Sequence, residues 1–154
     1  MIAFGEHIAN TEEETVKLGE KIALELRAGD ILGFVGNLGA GKTTMIKAIA
    51  KALGADERET ASPSFALVHD YGLVDNQLSG SSTRVYHIDL FRLESGEIEQ
   101  LGLWEILDET NICLVEWADK FPDVIPKGSV RIEVNRIGEK KRKINISKWD
   151  PDEE

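Results

Sequence analysis

The residues best suited to chemistry lie in one run, Gly36-Asn37-Leu38-Gly39-Ala40-Gly41-Lys42-Thr43-Thr44. Its glycines let the backbone curl so that successive N–H groups point into one cavity. There they act together with the positive end of the following helix dipole to hold phosphate oxygens. The pattern assigns Asn37, Leu38, Gly39, Ala40 and Gly41 to the phosphate cradle, Lys42 to the outer phosphates and the Thr43 hydroxyl to Mg2+. Thr44 sits one residue deeper, where its hydroxyl can touch an inner phosphate. A nucleotide and magnesium also need an acid to hold the metal's water shell, and a group to orient an attacking water.

Two carboxylates are candidates. Glu116 ends the apolar run Ile112-Cys113-Leu114-Val115, a strand end from which an acid faces the phosphates. Asp89 lies in His87-Ile88-Asp89-Leu90-Phe91-Arg92-Leu93. Alternation puts His87, Asp89 and Phe91 on one face of that strand and Tyr86, Ile88 and Leu90 on the other. His87 and Asp89 are therefore expected side by side, either at the site or in a structural hydrogen bond. Glu116 is the first choice for the metal, and both acids are candidates for orienting the water. Trp117, next to Glu116, is core or pocket wall.

These residues need a scaffold. Asn10-Thr11-Glu12-Glu13-Glu14 supplies helix caps and first-turn acids. Leu18, Ile22 and Leu26 then recur at spacing four, predicting a helix to Leu26. Ile31–Val35 is a short apolar run that reads as a strand buried on both faces, and it feeds straight into the glycine-rich loop. A helix is expected from about Thr43 to Leu53 with Gly54 as its C-terminal cap. Ser62–Val68 reads as an extended entry into a strand, and Arg84–Phe91 as another strand. Asp75–Ser82 is a polar loop between them. Glu94–Leu107 reads as helix interrupted near Gly102. Ile112–Trp117 is a third buried strand, and Val130–Val134 with Lys143–Ile146 form a closing hairpin around Gly138-Glu139. Neither a repeat nor a linker divides the chain, so residues 1–154 are expected to form a single nucleotide-binding domain.

Composition narrows the function. With 18 Lys and Arg against 28 Asp and Glu the formal net charge is −10. Such a surface repels nucleic acid and anionic membranes at long range, so any RNA role is expected to run through a partner. The single cysteine, Cys113, excludes an internal disulfide and reads as a buried, inert thiol in a reducing cytoplasm. No apolar run approaches the roughly 18 residues of a membrane span, and no leader is visible. The basic cluster Lys140-Lys141-Arg142-Lys143 reads as a solvated hairpin, with a partner or RNA contact as the alternative.

Taken together and in order, GNLGAGKTT, SPSFALVHDY, HIDLFRL and LVEWADKFP resemble the TsaE family, also called YjeE. The resemblance spans about Thr11 to Pro126. It implies an α/β, P-loop NTPase-type three-layer fold with a mainly parallel central sheet and antiparallel additions, residues 1–154 forming a single P-loop ATPase domain. It further implies an ATPase of tRNA threonylcarbamoyladenosine biosynthesis, using ATP and Mg2+ and acting with a TsaB and TsaD transferase on adenosine 37 of tRNAs that read codons beginning with A. It also implies contact with tRNA only through that complex, and a monomer when alone. By matching motif, it makes Lys42 and Thr43 ligands of phosphate and magnesium, Asp89 and Glu116 the functional acids, and Trp117 a neighbour of the nucleotide. Ser62–Phe65 would be a switch-like strip near the terminal phosphate. The chain departs from the pattern at Asn37, where an aspartate is usual, and at Ser64, Ile88, Phe91 and Ala118.

Two other readings share the loop. A small-molecule kinase would need clustered arginines on a lid, and the seven arginines, at 27, 58, 84, 92, 131, 136 and 142, are scattered. A nucleotide-dependent switch with negligible hydrolysis would use the same residues as a slow ATPase. No Asn-Lys-x-Asp segment occurs, which favours ATP over GTP.

Overall fold

The computed structural model describes residues 2–37, 39–54, 68–73, 83–91, 93–94, 96–97 and 102–152. Along the chain these form β1 (Gly5–Ala9), α1 (Glu12–Ala23), β2 (Ile31–Val35), α2 (Lys42–Ala52), β3 (Val68–Leu73), β4 (Arg84–Asp89), α3 (Leu103–Ile106), β5 (Ile112–Glu116), β6 (Val130–Arg136) and β7 (Arg142–Lys148). Two 3-10 turns, Ala118–Lys120 and Pro122–Val124, follow β5.

The seven strands form one sheet in the order β1-β7-β6-β2-β5-β4-β3. β6, β2, β5 and β4 run parallel, while β7, β1 and β3 are added antiparallel. This is the expected α/β architecture. Every residue of β2 and β5 is buried, which is why both read as unbroken apolar runs. One face is covered by α1 and α2, whose Ile22, Met45, Ile46 and Ile49 pack with Leu26, just beyond α1, on Leu32, Phe34 and Leu114. On the other, Leu93, Leu103, Val124, Ile125 and Trp149 pack on Ile31, Cys113 and Val115. Burial pushes the Cys113 thiol up to about 12, so it is protonated and inert.

α1 begins on the expected cap residues and first-turn acids. Thr11 Oγ1 accepts from the Glu14 N–H at 3.1 Å, and Glu14 Oε2 accepts from the Asn10 N–H at 3.1 Å. The helix ends at Ala23 rather than Leu26. The Glu25 and Leu26 N–H groups bond three residues back, to Ile22 and Ala23, and this tighter turn still delivers Leu26 into the core. Gly19 sets how closely α1 and α2 approach. A Cβ there would lie 3.1 Å from Ala48 Cβ and 3.2 Å from the Met45 carbonyl oxygen.

The Val130–Val134 and Lys143–Ile146 hairpin forms as expected, extended to Arg136 and Arg142. β5 stops one residue early, because Trp117 leaves the strand with φ 59. Within the expected helix 94–107, Leu103–Ile106 is helical and Gly102 caps it, at the anticipated interruption. Ser62–Leu67 and Asp75–Ser82 lie outside the described residues.

Candidate phosphate-binding site

β2 ends at Val35, and the loop that follows delivers the chain into α2 at Lys42. Gly36 adopts φ 142, and a Cβ on it would run into the Val134 carbonyl oxygen of β6. Only glycine allows the loop to leave the sheet this close to the next strand. Asn37 is exposed and its carbonyl accepts from the Ala40 N–H at 3.0 Å, folding the loop back on itself. Gly39 and Gly41 carry φ 78 and 107, and Gly41 is the N-cap of α2, so the helix opens without a side-chain cap. Its first-turn N–H groups are thus left for another acceptor, the arrangement that binds anions at helix N-termini. Leu38 lies outside the described residues.

Lys42 is 3 % exposed. Its Nζ donates to the Gly36 carbonyl and lies 3.3 Å from the centroid of the Trp117 ring. Burial lowers the Lys42 pKa, against the attraction of Glu116, Asp119 and Asp89, which favours the charged form. The left-handed backbone of Trp117 is unique among non-glycine residues described. That conformation is costly for a bulky side chain. Here it ends β5 and accompanies a ring held over the lysine and packed against Phe91, with centroids 4.7 Å apart.

Thr43 Oγ1 donates to Glu116 Oε1 at 2.8 Å. The other oxygen of Glu116 is 3.0 Å from His87 Nε2, and His87 Nδ1 is 3.0 Å from the Tyr71 hydroxyl. Glu116 and His87 are each 6 % exposed, and Tyr71 is 4 % exposed. Burial works to raise the Glu116 pKa. Hydrogen bonds from His87 and Thr43, with attraction to His87 and Lys42, outweigh it and hold the carboxyl below its ordinary value.

Asp89 is the register partner of Glu116 across β4 and β5. The two acids therefore share a sheet face and one end of the parallel strands, as the alternation required. The expected His87–Asp89 pair is replaced: His87 bonds Glu116 and Tyr71, while Asp89 Oδ1 accepts the Phe91 N–H at 2.9 Å. The reason is geometric, since residues two apart on a strand are farther apart than cross-strand neighbours. Thr44 lies on the other flank, lining a polar cavity with Gly41, Lys140 and Arg142.

Four participants went unread in the sequence: Tyr71, Asp119, Arg142 and His87 as the partner of Glu116. Arg142 Nε donates to the Ala40 carbonyl at 2.6 Å and braces the loop from β7. The basic cluster is thereby divided. Lys143 pairs with Glu6 at 3.0 Å, and Lys140 and Lys141 stay exposed. The donor set suits a hard divalent cation, because Thr43 Oγ1 and Glu116 Oε1 converge at the loop. Among the described residues no group of three or more His, Cys, Asp and Glu could hold a metal unaided.

Comparison with known proteins agrees with the geometry. The family described as threonylcarbamoyl adenosine biosynthesis protein TsaE matches residues 9–144. A Bacillus subtilis protein named tRNA threonylcarbamoyladenosine biosynthesis protein TsaE is 36 % identical, covering 88 % of this chain and 80 % of the relative. An Aquifex aeolicus protein of the same name is 36 % identical, covering 92 % and 94 %. The crystal structure of Bacillus subtilis YdiB superposes with a TM-score of 0.72 at 28 % identity, covering 97 % of this chain and 88 % of that one. With four motifs in order on a matching fold, and a family match across most of its length, this chain belongs to the TsaE family.

Proposed function

We propose that this chain is the ATP-binding and ATP-hydrolysing subunit that supports threonylcarbamoyladenosine formation at position 37 of tRNAs reading codons beginning with A. It works in the cytoplasm with TsaB- and TsaD-type partners, as one nucleotide-binding domain that meets tRNA only through them. The observation that carries the reading is the Thr43–Glu116 contact of 2.8 Å, which sets a strand-end carboxylate against the first turn of the phosphate-loop helix.

The loop N–H groups and the α2 N-terminus bind phosphate oxygens. Lys42 swings its ammonium from the Gly36 carbonyl to the outer phosphates, and Trp117 shields it from water. Thr43 and Glu116 would hold Mg2+, which when bound neutralises charge developing on the phosphates. Asp89 and Glu116, paired in register, are the two carboxylates able to orient water toward the terminal phosphate. A kinase would need arginines free to clamp a transferring phosphoryl group. Among the described residues, Arg84 is instead paired with Asp70 at 3.1 Å, Arg131 with Glu133 at 3.4 Å, and Arg142 is committed to backbone carbonyls.

The test is to measure ATP hydrolysis by the isolated protein, and again with the transferase subunits and substrate tRNA. The expected result is slow hydrolysis alone and nucleotide-dependent support of repeated tRNA modification. Association indifferent to nucleotide, or modification turnover unchanged by the protein, would overturn the reading. Phosphate arriving on a metabolite would make the protein a kinase.

A further inference from the structure

Glu116 is held from two sides. Thr43 belongs to the first turn of the helix that the phosphate loop opens, whereas His87 and Tyr71 belong to β4 and β3. The ring of His87 lies between Tyr71 and Glu116, and the ring of His69, its register partner on β3, packs beside it with centroids 5.4 Å apart. A carboxylate only accepts, so His87 Nε2 is the donor to Glu116. In the neutral ring Nδ1 is then the acceptor, and the Tyr71 hydroxyl donates to it. Held at both ring nitrogens, the imidazole plane is fixed, and through it the carboxylate.

We infer that His87, held by Tyr71, is a positioning residue that aims the Glu116 carboxylate at the Thr43 side of the phosphate loop, and so sets how tightly the site takes magnesium with nucleotide. The inference rests on the function proposed above. Its physical basis is that a carboxylate free to rotate offers a cation many geometries, of which few match the hydroxyl of Thr43. Hydrogen-bond partners behind a metal ligand typically change metal affinity by about 10- to 100-fold. The burial of all three side chains matters, since water cannot replace a lost partner without opening the sheet face.

The experiment uses the full chain and a non-hydrolysable ATP analogue, with affinity measured by calorimetry across a magnesium titration and in EDTA. Thermal midpoints are recorded in parallel. For His87→Ala the magnesium concentration at half-effect should rise about 10- to 100-fold, while affinity in EDTA changes less than about twofold. His87→Gln, whose amide N–H can reach the Nε2 position, should restore most of the magnesium response. His87→Asn, equally polar but shorter, should not. Tyr71→Phe should give a rise of a few-fold, because His87 keeps its bond to Glu116. If His87→Ala fails to fold, the Gln and Asn variants decide: equal magnesium responses in the two would overturn the inference. So would a wild-type response in His87→Ala, or losses that track the thermal midpoint and appear equally in EDTA. Wild-type protein whose analogue binding ignores magnesium would instead overturn the function reading itself, and the inference with it.

Discussion

On the β5 side of the phosphate loop, exposed Thr43 and buried Glu116, His87 and Tyr71 join side chain to side chain. On the β7 side, Arg142 reaches from a half-buried position to the backbone carbonyl of Ala40. The first flank sets where charged oxygens stand, and the second sets the shape of the peptide that carries the N–H groups. Damage to the two flanks should therefore look different. The acid flank should lose what depends on magnesium, and the hairpin flank should weaken phosphate binding with or without the metal.

The largest effects belong to the residues facing the phosphates. Lys42→Ala and Glu116→Ala should each lower ATP hydrolysis by about 10²-fold or more, the scale of removing one preorganised charge-stabilising group. Phosphate release under single-turnover conditions measures this. Full activity in Glu116→Ala would leave Asp89 to hold the metal and orient the water, and would remove the distinction between the flanks. Next comes Arg142→Ala. A hydrogen bond from a charged donor contributes about 1.5–3 kcal/mol, so affinity for the analogue should fall roughly tenfold or more. The fall should be the same in magnesium and in EDTA. A loss confined to magnesium would mean that the two flanks act as one.

The acid flank should also carry a signature in stability. The folded-state pKa of Glu116 lies below its ordinary 4.5, so the native protein binds fewer protons than the unfolded chain in that range. Stability from this group is present above the unfolded value and is lost as pH falls through the folded one. Glu116→Gln should therefore flatten part of the acid limb below about pH 4.5, measured by urea unfolding at stepped pH. Arg142→Ala should leave that limb unchanged.

The same contrast explains how much could be read from sequence. The loop, β2, β5 and the α1 cap are local patterns: glycines at fixed spacing, unbroken apolar runs, and cap residues followed by acids. Asp89 and Glu116 could be named because strand alternation and strand ends are local too. What escaped was carried by register and turn geometry. Arg142 meets Ala40 across 102 residues, and His87 meets Glu116 across 29. Neither pairing exists until β7 has paired with β6 and β4 with β5. The His87–Asp89 pairing failed for that reason: alternation gives the face of a side chain, while the cross-strand neighbour decides its partner. Sequence alone puts Trp117 at the end of a strand, because nothing in an aromatic residue signals positive φ.

The smallest expected effect concerns the basic hairpin, where the sequence suggested one cluster and the fold makes three different uses of it. Arg142 is structural. Lys143 pairs with Glu6 with both side chains substantially exposed, at 41 % and 53 %, so that pair contributes at most about 1 kcal/mol. Lys140 and Lys141 are exposed at the hairpin tip, and Lys140 edges the polar cavity beside Thr44. Replacing both by serine should shift stability by no more than about 0.5 kcal/mol, as for ordinary surface changes. Lys140 lines the same cavity as Gly41 and Thr44, so analogue affinity should drop slightly at low salt and recover by about 0.5 M, where screening is nearly complete. A drop that persists at high salt would mean that the hairpin tip contacts the nucleotide directly. The division between a flank that positions charge and a flank that shapes the loop would then have to be redrawn at Lys140.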